Sequence, residues 1–172
     1  MDSLIASHQP APDFTLLDLQ GRPHRLSAQR GVITILNFWS AECPWSERAD
    51  HLLAEWLGAW GERTARWTIA SNANEPVEML AQAAAERGLG ILLHDARQEV
   101  ADLYRAQTTP HVFVIDEQGI LRYQGAVDDV TFRQRTPTRY YLHDAVEALL
   151  AGRLPDPAEA PAYGCTVVRY AG

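Results

Sequence analysis

Apolar and polar positions alternate along the chain in a way that divides it into successive extended and helical segments. From Gly31 to Trp39 the run Gly-Val-Ile-Thr-Ile-Leu-Asn-Phe-Trp is almost continuously apolar and rich in β-branched residues, the pattern of a central strand buried on both faces. Beyond Cys43 the apolar positions are Ala49, Leu52, Leu53, Trp56, Leu57 and Trp60. Their spacing of three and four predicts a helix, with Pro44 suited to its first position. Cys43 therefore falls where a strand gives way to a helix. Upstream, residues 13–18 and 23–26 flank the turn-like Gln20-Gly21-Arg22 and predict a β-hairpin, after a start over about residues 1–9 that is expected to be flexible.

Downstream, Arg66–Ala70 reads as a strand, and a helix is predicted to open at Asn74, with Pro76 early in it and Gly88 and Gly90 closing it. A short strand over Ile91–Leu93 and a helix around Gln98–Tyr104 continue the alternation, which favours a mixed sheet covered by helices. His111–Asp116, the turn Glu117-Gln118-Gly119 and Ile120–Gln124 read as an antiparallel hairpin, and a last helix is predicted over roughly Thr138 to Ala151. Pro155, Pro157 and Pro161 argue for an extended tail over about residues 154–172, which carries Gly164-Cys165-Thr166-Val167-Val168.

Composition narrows the functions. A chain of 172 residues without internal repeats is expected to form one domain spanning residues 1–172. Fifteen basic against 22 acidic residues give a net charge of −7, the wrong sign for a nucleic-acid partner. No segment approaches the roughly 20 apolar residues of a membrane span, so no membrane partner is expected. The acidic N-terminus lacks a basic and an apolar signal region, which points to the cytoplasm. The two cysteines form no paired zinc motif and the six histidines are scattered, so neither a metal nor a cofactor is expected. Acidic Asp128 and Asp129 read as a solvated turn.

Candidate chemistry thus rests on thiols. A cysteine at a helix N-terminus faces unpaired N–H groups and the positive end of the helix dipole, both of which favour the thiolate; the neighbouring Glu42 opposes it. The plainer alternative is a small buried packing residue.

The segment Leu36-Asn37-Phe38-Trp39-Ser40-Ala41-Glu42-Cys43-Pro44-Trp45-Ser46 resembles the active-site segment of thioredoxin-like reductases. Thr109-Pro110 ahead of a hydrophobic strand resembles the same superfamily's cis-proline loop. The run from Thr109 to Asp116, then Arg122 to Asp129, and the terminal Gly164-Cys165-Thr166-Val167 resemble its redoxin branch, the peroxiredoxin-like AhpC/TSA and TlpA-like proteins. The resemblance runs from about Pro10 to Val168. It implies an α/β thioredoxin fold, a central mixed sheet flanked by helices, with an N-terminal β-hairpin and an inserted β-α element. It further implies a nucleophilic Cys43 at an accessible helix tip, and a Thr109-Pro110 loop that faces this cysteine and whose backbone pairs with an extended substrate. Partners would be protein or small-molecule thiols and disulfides.

Two departures change that picture. Ser46 replaces the second cysteine of the Cys-x-x-Cys motif, which removes the local resolving thiol but leaves a hydroxyl able to donate to a thiolate. Asn37 stands where many thioredoxins carry a buried acid. For a peroxidase, Leu36 stands in place of the motif proline and Pro110 in place of the arginine. Cys165 remains either a resolving thiol, should the tail bring its Cα within about 7 Å of Cys43, or a packing residue. Trp39 and Trp45 flank the thiol as an apolar platform for a substrate. The leading expectation is a thiol-disulfide oxidoreductase in which Cys43 attacks and Cys165 or an external thiol resolves. The alternatives are a redox-inactive binding or scaffold protein and a peroxiredoxin-like peroxidase.

Overall fold

The computed structural model describes residues 4–171. Its strands are β1 (Thr15–Asp18), β2 (Pro23–Arg25), β3 (Ile33–Trp39), β4 (Thr64–Ala70), β5 (Leu92–His94), β6 (Thr108–Thr109), β7 (His111–Ile115), β8 (Leu121–Gly125), β9 (Glu159–Ala160) and β10 (Cys165–Thr166). Its α-helices are α1 (Pro44–Trp60), α2 (Val77–Arg87), α3 (Glu99–Tyr104) and α4 (Tyr141–Leu150). One eight-stranded sheet runs in the order β2-β1-β5-β4-β3-β7-β8-β9, and β10 pairs with β6 in a second, two-stranded sheet. β3 is parallel to β4 and antiparallel to β7.

Every residue of β3 is buried, as its apolar run requires. Alternation across the strand splits the core: Leu36 and Phe38 pack with Phe14, Trp67, Tyr104 and Phe113. Ile33 and Ile35 instead join Ala49 and Leu53 of α1 and Leu142 and Val146 of α4. Each such side chain contributes about 1.5–3 kcal/mol on full burial. The Tyr104 and Tyr123 hydroxyls donate to the carbonyls of Pro12 and Ala126, so both rings are buried with their polar ends satisfied.

The expected hairpins and the alternation around β3 are present, with shifts at several boundaries. α2 begins at Val77 rather than at Asn74, because Pro76 holds an extended conformation and a residue before proline avoids the helical region. α4 begins at Tyr141, since Thr138 is engaged by Asp129 instead of opening a helix. The short strand before α3 spans Leu92–His94, one residue later than expected.

The N-terminal segment departs from the flexible start expected of it. His8 N–H donates to Leu121 C=O at 2.7 Å, Leu121 N–H to Gln9 C=O at 2.9 Å and Ala11 N–H to Gly119 C=O at 2.9 Å. The hairpin that joins β7 to β8 carries backbone groups in need of partners, and this segment supplies them. Residues 1–3, part of the same expectation, lie outside the described residues. Along the tail, β9 runs parallel to β8. That pairing needs glycine at 125, where φ is +135° and a Cβ would overlap the Ala160 carbonyl.

Candidate active site

Cys43 caps α1 with an extended backbone, Pro44 follows at the first helical position, and the Cys43 carbonyl accepts the Glu47 N–H at 3.1 Å. The N–H groups of Trp45 and Ser46 therefore lie in the first turn, where intrahelical acceptors are lacking. Cys43 and Cys165 are joined in a disulfide with their Cα atoms 6.2 Å apart across a sequence separation of 122. Of the two readings left open for Cys165, packing residue or partner of Cys43, the structure has the second.

Cys43 is 2% exposed, unlike the accessible helix tip implied by the sequence. The cover is the chain's own tail. β10 lies antiparallel to β6, Cys165 opposite Thr109 and Thr166 opposite Thr108. Thr109-Pro110 is a cis peptide, and Cys43 Sγ lies 3.3 Å from the Thr109 carbonyl oxygen. The Thr109 carbonyl is thus brought against Cys43, but the strand laid on Thr109 is an internal one.

Other predicted residues fare differently. Trp45 is half-buried and meets the Tyr163 ring edge-on at 5.0 Å between centroids. Trp39 is no platform: it is fully buried, packs with Ala70 and Leu80, and donates its indole N–H to Asp50 at 2.8 Å. The inward pleat at the end of β3 puts it in the core rather than on the surface. Ser46 is fully buried, and its hydroxyl oxygen accepts the Ser40 N–H at 3.2 Å. That bond closes the turn that precedes Cys43.

Four groups not expected at the site complete the surroundings. Glu75, 5% exposed, accepts the Ser40 hydroxyl and the Ala41 N–H, the latter at 2.9 Å, and so braces the turn before Cys43. Buried Asp50 on α1 holds Trp39 and meets Arg87 at 3.2 Å; burial pushes its carboxyl above the usual range, against those hydrogen bonds. Asp128 is buried and paired with Arg48 through two contacts of 3.2 and 2.6 Å, not solvated as its acidic neighbourhood suggested. The pair ties α1 to the loop after β8. His111, next to Pro110, is 4% exposed, lies flat on Phe113, and has no hydrogen-bond partner on either ring nitrogen among the described residues. Burial pushes its pKa down to about 4 and keeps it neutral. None of the four has a local sequence signal, since each acts through a residue more than ten positions away or through burial alone.

No group of three or more His, Cys, Asp and Glu side chains that could hold a metal is found among the described residues. No helix among them is long and apolar enough to cross a membrane.

The AhpC/TSA family profile matches residues 8–124, from the N-terminal segment through β8. The chain belongs to the AhpC/TSA family. Among its relatives, the thiol-disulfide oxidoreductase ResA of Geobacillus kaustophilus (strain HTA426) is 33% identical over 116 residues, 67% of this chain and 66% of that protein. The crystal structure of a hypothetical protein from Sinorhizobium meliloti 1021 is 30% identical with a TM-score of 0.88, covering 98% of this chain and 97% of that one. The thioredoxin domain of a thiol-disulfide oxidoreductase from Bacteroides vulgatus is 19% identical. It has a TM-score of 0.63 over 76% of this chain and 93% of its own, and shows the fold alone. This AhpC/TSA member therefore has the thioredoxin fold expected of it, with the N-terminal hairpin β1–β2 and the inserted β5–α3 element. The family profile stops before the tail, so Cys165 lies outside the part that the match covers.

Proposed function

We propose that the protein is a thiol-disulfide oxidoreductase whose working pair is Cys43 and Cys165. The observation that carries this reading is the disulfide between a helix-capping cysteine and a tail cysteine, in a chain whose Cys-x-x-Cys position ends in Ser46. The ResA relatives, which share about two thirds of their length with this chain, support the same class of reaction.

In the reduced protein the first-turn N–H groups stabilise a Cys43 thiolate. That thiolate attacks one sulfur of a substrate disulfide, forms a mixed disulfide, and expels the other sulfur as a thiolate that takes a proton from water. Cys165 gives its proton to solvent and attacks Cys43 Sγ. The second substrate thiolate leaves and the Cys43–Cys165 bond forms, so two electrons pass from the protein to the substrate. Two external thiols, or one dithiol, reverse the sequence and restore the pair. Thr109 and Pro110 position the tail, Trp45 holds it through Tyr163, and Ser46 and Glu75 fix the turn. A cytoplasmic setting belongs to this proposal; thiols there are kept reduced, so the bond forms only in turnover.

Arg48 and Arg87 are committed to Asp128 and to Asp50 respectively, which speaks against a peroxidase needing a guanidinium on its thiolate. The test compares disulfide-reductase turnover of wild type, Cys43→Ser and Cys165→Ser. Cys43→Ser is expected to be inactive. Cys165→Ser is expected to accumulate a mixed disulfide on Cys43 and to slow by about 100-fold, the advantage of a tethered over an external thiol. Equal rates in wild type and Cys43→Ser would remove the proposal.

A further inference from the structure

The tail is held on both sides of Cys165. Tyr163 packs on Trp45, and its hydroxyl accepts the Phe132 N–H at 2.8 Å. Val167 N–H donates to the Gln107 carbonyl at 2.9 Å and the side chain is buried. Val168 is gripped at both backbone groups: its N–H donates to Asn72 Oδ1 at 2.9 Å, and its carbonyl accepts from Ala73 N–H at 3.0 Å and Gln98 Nε2 at 2.7 Å. Arg169 pairs with Asp102 at 2.6 Å and donates to the Ala106 carbonyl at 3.0 Å. None of these contacts depends on the disulfide.

The same residues use up the strand edge beside the proline loop. An extended polypeptide binds such an edge by adding a strand to it. Here β6 already has β10 as its partner. There is no room for a chain between them either, because a Cβ built on Gly164 would overlap the Thr109 carbonyl and come within 3.1 Å of Pro110 Cδ.

From this we infer that the tail stays docked in the reduced protein and bars extended polypeptides from β6, so that the substrates of the Cys43–Cys165 pair are low-molecular-weight disulfides. The inference rests on the redox function proposed above and names its substrate class. A polypeptide binds only the fraction of molecules whose tail is undocked, and its apparent affinity is reduced by that fraction.

The test measures kcat/KM for oxidised glutathione and for insulin disulfides. It uses wild type, Gly164→Val, and Asn72→Ala/Arg169→Ala, which loosens the tail without a steric clash and retains Cys165. Wild type is expected to reduce oxidised glutathione and to discriminate against insulin. Both variants should shift the ratio toward insulin by about tenfold or more, as expected if the open fraction in wild type is below about a tenth. Amide exchange in excess dithiothreitol supplies an independent readout: the Val167 and Ala73 N–H groups remain protected. An unchanged ratio in the double variant, or exchange of both amides at the unprotected rate, overturns the inference while leaving the redox function standing. Absence of turnover on both substrates overturns the two together.

Discussion

The two halves of the Cys43–Cys165 bond are fixed by different physics. Cys43 is held by packing: behind it lie the seven buried residues of β3, and after it Ala49 and Leu53 of α1 sit in the core. Cys165 belongs to a two-residue strand whose neighbours are secured by hydrogen bonds, an exposed ion pair and the buried side chain of Val167. A packed core opens only with the whole domain, whereas surface hydrogen bonds, each worth about 0.5–1.5 kcal/mol net, can open locally. The pair therefore joins a thiol that cannot move to one that can be tuned. Substitutions around Cys43 threaten the fold, while substitutions in the tail adjust the chemistry.

Breaking the bond is the strongest challenge to this contrast. It closes a loop of more than a hundred residues, and in the chain-entropy account its removal costs about 2–5 kcal/mol, chiefly by freeing the unfolded state. Calorimetry with and without dithiothreitol should show a fall in Tm of about 4–20 °C for a domain of this size, absent in Cys165→Ser. A wild-type Tm indifferent to reductant would mean that the tail is not covalently joined in solution.

The packed side is sharpened by pH. His111 is neutral in the folded protein down to about pH 4, whereas in the unfolded chain it takes up its proton near 6.5. The folded state thus binds fewer protons across that window. Its stability is complete above pH 6.5 and declines as pH falls toward 4, by about 3 kcal/mol in all. Urea midpoints measured at pH 7, 5.5 and 4 should show this decline in wild type and a shallower one in His111→Phe. Parallel curves would place the titrating group elsewhere.

The same division decides what could be read from sequence. β3, α1 and the place of Cys43 between them are legible because packing imposes a period: a continuous apolar strand, then a stripe at three and four. Boundaries moved where a side chain had a distant task. Thr138 is captured by Asp129, so α4 starts three residues late, and Glu75 turns toward Ser40 and Ala41 ahead of α2. Trp39 is not on the surface beside Cys43, because the sequence neighbours of a cysteine do not all share its face; the pleat sends this ring inward. Asp128 reads as a turn residue because its partner, Arg48, is 80 positions away. Cys165 could be named but not placed. Its docking depends on Gln107, Asn72 and Gln98, polar residues whose periodicity carries no information, and on Gly164, which matters only where two backbones meet.

The finest probe of the tail is Tyr163. Its ring meets Trp45 edge-on and its hydroxyl accepts the Phe132 N–H, so Tyr163→Leu removes an aromatic pair worth about 0.5–1.5 kcal/mol and a hydrogen bond besides. What the redox equilibrium registers is only the difference between the oxidised and reduced proteins. With the tail docked in both, the lost contact is common to both and cancels, and the equilibrium constant against glutathione should stay within about twofold of wild type. Were the tail released on reduction, both contacts would exist in the oxidised protein alone and their loss would appear in full, as a shift of about five- to hundredfold toward the dithiol. A null effect on the equilibrium, together with a measurable loss of thermal stability in both redox states, is thus the outcome that a permanently docked Cys165 requires.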